Sequence, residues 1–131
     1  MTKAVILCID DEEIPRTVRA LVLKKHGYEV IAVDSGKEAL EQLAGCQFDL
    51  VLTDQLMPGM TGTELIREIR VTMPSMPVVI ISGVNEVPAD ASLADRFISK
   101  IEGPQALLSA IAEVLDRYRN PQSSQTVMRS T

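Results

Sequence analysis

Five short apolar runs punctuate this chain, and a stretch with helical spacing follows nearly every one of them. No other feature restricts its fold as strongly. Ala4–Ile9 reads AVILCI without a polar break, and Tyr28–Val33, Phe48–Thr53, Val78–Ile81 and the short Arg96–Ser99 come after it. Runs this brief and this uniformly apolar are strands covered on both faces, because a strand with one wet face alternates. Between them the period changes. From Glu12 to His26 the apolar positions Ile14, Val18, Leu21 and Val22 recur at helical spacing, Pro15 is tolerated in the first turn, and Gly27 is a stop. Ser35-x-x-Glu38 and Thr61-x-x-Glu64 are capping boxes. The first opens a helix on Leu40 and Leu43 that ends at Gly45; the second opens one on Leu65, Ile66 and Ile69 that stops before Pro74. Gly103-Pro104 starts the last helix, with Leu107, Leu108, Ile111, Val114, Leu115 and Tyr118 on one side, and Asn120-Pro121 closes it.

Such βα alternation demands a parallel sheet with helices on both faces. The expected architecture is a doubly wound α/β domain over residues 1–120, five parallel strands in the order 2-1-3-4-5. Gly83–Asp95 is the weakest segment of that scheme: it should hold a fourth helix, yet ASLAD offers only a turn or two, so a shortened or irregular helix is expected. Residues 121–131, PQSSQTVMRST, are polar and aperiodic and read as a disordered tail or linker.

Composition narrows the function classes. A chain of 131 residues with 46% hydrophobic and 24% charged residues suits one globular domain. Its formal charge of −5 and lack of clustered Lys and Arg argue against direct nucleic-acid binding. Cys8 and Cys46 have no disulfide or metal-site spacing, as expected of unpaired thiols in a reducing cytoplasm. No apolar run approaches membrane-spanning length, and Met-Thr-Lys leads directly into a strand without the pattern of a signal peptide. His26 reads as a surface cap at a helix C-terminus, and Met57, Met60, Met73 and Met76 as packing.

The acids are less ordinary. Open α/β sheets bind ligands at the carboxyl ends of their strands, where strand order reverses. Asp10 and Asp11 follow strand one, Asp54 strand three, Ser82 strand four and Lys100 strand five. Glu12 and Glu13 are accounted for as acids at a helix N-terminus. Three carboxylates in one crevice repel one another unless a cation joins them. Oxygen donors in partial number, leaving room for water and a phosphate oxygen, suit Mg²⁺ better than Zn²⁺ or a caged Ca²⁺. A metal with open positions, a lysine and a hydroxyl neutralise a phosphoryl group in transfer, and the nucleophile left over is a carboxylate able to form an acyl phosphate.

CIDDEE, VLTDQLMPGMTG, the Ser82-Gly83 pair after a buried strand, and FISK occur in this order, and together they resemble a receiver domain of a two-component response regulator, of the single-domain chemotaxis-regulator type. The resemblance covers residues 4 to about 119. It implies a flavodoxin-like receiver fold, Mg²⁺ held by Asp10, Asp11, Asp54 and the backbone carbonyl of Leu56, and Asp54 as phosphoacceptor. It further implies Lys100 as the phosphate-pairing lysine, Ser82 as the switch hydroxyl and Phe97 as the aromatic that turns inward on activation. Phe97 cannot donate a hydrogen bond, so its switch must be one of packing. The implied donor is a sensor histidine kinase or phosphotransfer protein, and the implied output is control of a protein partner.

Three departures qualify the resemblance. Ile101 stands where the family usually carries a cis proline; a cis bond to a non-proline residue is costly, so this peptide is trans or strained. The segment from Ser82 to Phe97 is about one helical turn short, which argues for a monomer or weak dimer. Leu56 and Val84, two residues beyond Asp54 and Ser82, are apolar and cannot orient an attacking water, so slow hydrolysis of the phosphoaspartate is expected. An aspartate-nucleophile phosphatase is disfavoured because Leu56 stands where its second Asp belongs. A pseudo-receiver, binding partners without phosphorylation, is the remaining alternative.

Overall fold

The computed structural model describes residues 3–83 and 93–119. Its elements are β1 (Val5–Ile9), α1 (Glu13–Lys25), β2 (Glu29–Val33), α2 (Gly36–Gly45), β3 (Leu50–Asp54), α3 (Gly62–Thr72), β4 (Val78–Ser82), β5 (Arg96–Ser99) and α4 (Gly103–Arg119), with a 3-10 turn at Lys100–Glu102. All strand pairs are parallel and the order is β2-β1-β3-β4-β5, as the alternation required. Element ends differ from the sequence expectations by a residue or two, as helix and strand ends commonly do.

Alternate residues of each strand feed opposite layers. Ile6, Cys8, Leu50, Leu52, Val79, Ile81 and Ile98 pack under α1 and α4, against Leu23, Leu107, Ile111 and Val114. Leu7, Ile9, Val51, Val78 and Ile80 pack under α2 and α3, against Ala39, Leu43, Leu65, Ile66 and Ile69. Both faces of β1, β3 and β4 are covered, which is why those strands show no polar alternation. The edge strand β2 instead leaves Glu29, Ile31 and Ala32 exposed, contrary to the expectation of five strands covered on both faces. Ser35 and Thr61 cap α2 and α3 as expected, each side chain accepting the N–H of the glutamate three residues on. His26 caps the C-terminus of α1, and the four methionines contribute to packing of the α2/α3 layer.

Helix α1 corrects the sequence reading. Ile14 is 77% exposed, and Val18 and Leu21 are also exposed, although their spacing marked them as the buried face. The inward stripe is instead Arg16, Arg19, Ala20 and Leu23. Both stripes have helical period, and an apolar count sees only the one made of aliphatics. It cannot register an arginine that turns inward to meet a buried acid.

At the amino ends of β4 and β5 a polar knot joins four elements. Asp95 Oδ2 accepts the Val78 N–H at 2.7 Å and pairs with Arg70 of α3 at 3.3 Å, while Oδ1 accepts the Tyr118 hydroxyl of α4 at 2.8 Å. Arg70 also donates to the carbonyls of Met76 and Leu93. Burial, then the bond to Asp95, raises the Tyr118 phenol above its ordinary value. Cys8 and Cys46 are both free; burial pushes the Cys8 thiol up to about 11, which makes it an inert core group. Among the described residues no helix is long and apolar enough to cross a membrane. Residues 84–92, which carry Val84 and the expected fourth helix, lie outside the described residues, as do Asn120-Pro121 and the rest of the tail.

Replacing Asp95 by Ala leaves the Val78 N–H and the Arg70 guanidinium short of an acceptor. We expect Asp95→Ala to cost about 2–3 kcal/mol and Tyr118→Phe about 1 kcal/mol or less. Urea unfolding followed by far-ultraviolet circular dichroism measures both, and equal midpoints for wild type and Asp95→Ala would contradict the assignment.

Candidate functional site

Parallel register decides which side chains meet. Ile9 pairs with Thr53, so Asp10 and Asp54 each stand one residue beyond a matched pair, on neighbouring strands. Asp54 pairs with Ile81, and Ser82 with Ser99. Ser82 and Lys100 therefore stand at the same edge, farther across the sheet. The carboxylate oxygens of Asp10, Asp11 and Asp54 come within 4.8 Å of one another.

The three acids have different surroundings. Asp10 is 0% exposed; its Oδ2 pairs with Arg19 Nη1 at 2.9 Å and its Oδ1 accepts the Glu12 N–H at 3.0 Å. Arg16 Nη1 donates to the Asp10 backbone carbonyl at 3.0 Å. Asp54 is 2% exposed, and Lys100 Nζ lies 3.1 Å from its Oδ1 and donates to its Oδ2 at 3.3 Å. The ammonium is out of line for a hydrogen bond to Oδ1. That oxygen is the one buried side-chain polar atom among the described residues with no hydrogen-bond partner. Burial raises the Asp54 carboxyl above its usual range; Lys100 pulls it down and the Asp10 charge adds to the rise. A charge this poorly solvated is expensive, so the site favours any ligand that brings a positive centre to it.

The backbone beneath Asp54 is clamped. Thr53 Oγ1 donates to the Asp54 carbonyl at 2.9 Å, and the Gly62 N–H to the Gln55 carbonyl at 2.9 Å. Gln55 Oε1 accepts both the N–H and the hydroxyl of Thr63. A Cβ on Gly62 would stand 2.6 Å from the Asp54 carbonyl oxygen, so only glycine lets α3 begin this close to β3. Gly59, at φ +84°, turns the loop between them.

The remaining candidates fall as follows. Ser82 is fully buried as the last residue of β4, and its hydroxyl donates to the Gly83 carbonyl at 3.4 Å. Phe97 on β5 pairs with Ile80 and packs half-buried against the α2/α3 layer. The Leu56 side chain is 54% exposed. No peptide among the described residues is cis, so Ile101 follows Lys100 through a trans bond, and Lys100 reaches Asp54 all the same.

Three carboxylates with one orphaned buried oxygen, and with Asp11 partly open to solvent, form a hard-oxygen donor set that can coordinate a divalent cation such as Mg²⁺. The sequence reading brought Asp10, Asp11, Asp54 and Lys100 together as the structure does. It missed Arg19 and Arg16, whose only sequence signal is two arginines three apart just after an acidic run. It also missed Gln55 and Thr63, for which the sequence carries no signal.

Residues 6–112 match the model of the response regulator receiver domain. The chain is 34% identical over 122 residues to the sensor kinase CckA of Brucella abortus, covering 87% of this chain and 13% of that protein. It is 36% identical over 118 residues to the two-component response regulator ORR11 of Oryza sativa, covering 84% of this chain and 80% of that one. Among solved structures, TrrA of Thermotoga maritima, in complex with Mg²⁺ and BeF, superposes with a TM-score of 0.80 at 27% identity over 85% of this chain and 98% of its own. A family match across most of the chain, solved receiver structures of the same fold and an acidic cluster at the switch-point edge agree: this chain belongs to the CheY-like response regulator receiver domains of two-component signalling.

Proposed function

We propose that Asp54 is the phosphoacceptor of this receiver domain, taking its phosphoryl group from phosphohistidine on a sensor histidine kinase or phosphotransfer protein. The observation that carries the reading is the buried Asp54 carboxylate, with Lys100 at 3.1 Å and one oxygen without a hydrogen bond, beside two further acids. An Asp54 oxygen forms the new P–O bond as the P–N bond to the donor imidazole breaks, and the imidazole nitrogen leaves with the electron pair and takes up a proton. The product is an acyl phosphate on Asp54.

Asp10, Asp11, Asp54 and the Leu56 carbonyl are the residues that would hold Mg²⁺. When bound, the ion neutralises phosphoryl oxygens that would otherwise be repelled by the carboxylates. Lys100 gives up its contact with the free carboxylate and pairs with the phosphoryl group instead. The Ser82 hydroxyl turns from the Gly83 carbonyl toward a phosphoryl oxygen, and Phe97, already half-buried, follows into the space vacated and signals by packing. That the similar TrrA forms a complex with Mg²⁺ and BeF supports this reading. The chain turns nothing over; it supports its own phosphorylation and dephosphorylation and passes the result to a protein partner, as a monomer or weak dimer in the cytoplasm.

Incubation with acetyl phosphate and Mg²⁺, followed by intact-protein mass spectrometry, should show one added phosphoryl group on wild type. Asp54→Asn or excess chelator should remove it. A modified Asp54→Asn protein would overturn the assignment, and unmodified wild type would make the chain a pseudo-receiver. With the exposed, apolar Leu56 beside the phosphosite, the phosphoaspartate should survive for minutes or longer after removal of donor. Decay within seconds would show that water is oriented by some other group.

A further inference from the structure

The three carboxylates are not the only charges built into this edge. Arg19 projects inward from α1 with its side chain 12% exposed, and its Nη1 is 2.9 Å from Oδ2 of the fully buried Asp10. The other Asp10 oxygen is taken by the Glu12 N–H, and its backbone carbonyl by Arg16. Each Asp10 carboxylate oxygen thus already has one partner within the protein. The orphaned oxygen belongs to Asp54, and the more open carboxylate to Asp11. Of three negative charges at the edge, Asp10 is balanced by Arg19 and Asp54 by Lys100.

We propose that Arg19 is the resident cation of the site: it holds the acidic cluster together without a metal and weakens divalent-cation binding by competing for Asp10. This rests on the reading that the cluster takes Mg²⁺. Affinity for a hard cation rises with the number of uncompensated anionic ligands. A guanidinium only 12% exposed on one of three carboxylates competes for a ligand and adds repulsion, so an incoming ion must either share Asp10 with Arg19 or displace it. Arg19 therefore sets the Mg²⁺ concentration at which the site fills. It also spares the metal-free protein a buried, unpaired carboxylate, whose exposure to an apolar environment would be strongly destabilising. Arg19 is a positioning residue: it acts on the ion through Asp10.

The chain contains no tryptophan, so isothermal titration calorimetry with MgCl₂ is the direct measurement. Arg19→Gln keeps a donor toward Asp10 but drops the charge, and should tighten Mg²⁺ binding by about tenfold. Arg19→Lys keeps the charge and should stay near wild type. In thermal melts the metal-free Arg19→Gln protein should unfold at lower temperature than wild type and gain more from added Mg²⁺. A merely structural arginine would loosen the site and weaken binding, so tightening distinguishes the two. Should Arg19→Gln not fold without metal, Arg19→Met, which also drops the charge but keeps an unbranched apolar stem, decides. It too should bind Mg²⁺ about tenfold more tightly than wild type, because all three carboxylates remain. Unchanged or weaker binding by the folded neutral variant, Arg19→Gln or Arg19→Met, overturns the proposal. Absence of Mg²⁺ binding in wild type and every variant overturns it together with the metal reading, whereas binding by wild type that Arg19→Gln does not tighten overturns it alone.

Discussion

Parallel pairing sends the carboxyl ends of all five strands to a single edge, and the chemistry of this protein depends on that constraint. Once Ile9 is matched with Thr53, and Asp54 with Ile81, the residues at or just beyond the ends of β1, β3, β4 and β5 have no choice but to share a rim. A one-residue slip would turn every strand side chain to the opposite layer, so the apolar register of both cores protects the site geometry. The same constraint concentrates charge. Asp10 and Asp54 are almost wholly buried side by side, and each needs a cation within reach.

Two elements meet that need from opposite directions. The residue after β5 supplies Lys100 to Asp54, and the first turns of α1 supply Arg16 and Arg19 to Asp10. In α1 the effect extends to the helix surface. The stripe carrying the two arginines, Ala20 and Leu23 faces the sheet, which leaves Ile14, Val18 and Leu21 on the outside. Electrostatic need at the rim and the apolar surface of α1 are thus two faces of one helical phase.

Most of the fold was legible in the sequence because its three central strands are buried on both sides and announce themselves as unbroken apolar runs. The capping boxes at Ser35 and Thr61 mark helix starts by a local hydrogen-bond pattern that needs no tertiary partner. Asp54 and Lys100 were legible for a related reason: they follow strands, and strand ends are easy to place. The phase of α1 was not, since two stripes of equal period compete and the choice turns on a contact with Asp10 from another element. The polar knot around Asp95 was hidden too. Its members, Arg70, Val78, Asp95 and Tyr118, are far apart in the chain and meet only once α3, β4, β5 and α4 are packed.

By itself the sequence determined the element order, the parallel sheet and the set of acids at its edge, because periodicity, caps and strand ends are local properties of the chain. Tertiary structure alone decided which carboxylate oxygen is left without a hydrogen bond, and that Asp10 is already taken by Arg19. It also decided that α3 can start against β3 only through the bare Cα of Gly62. Those outcomes depend on distances between elements, and distances between elements come from packing, which no local pattern encodes.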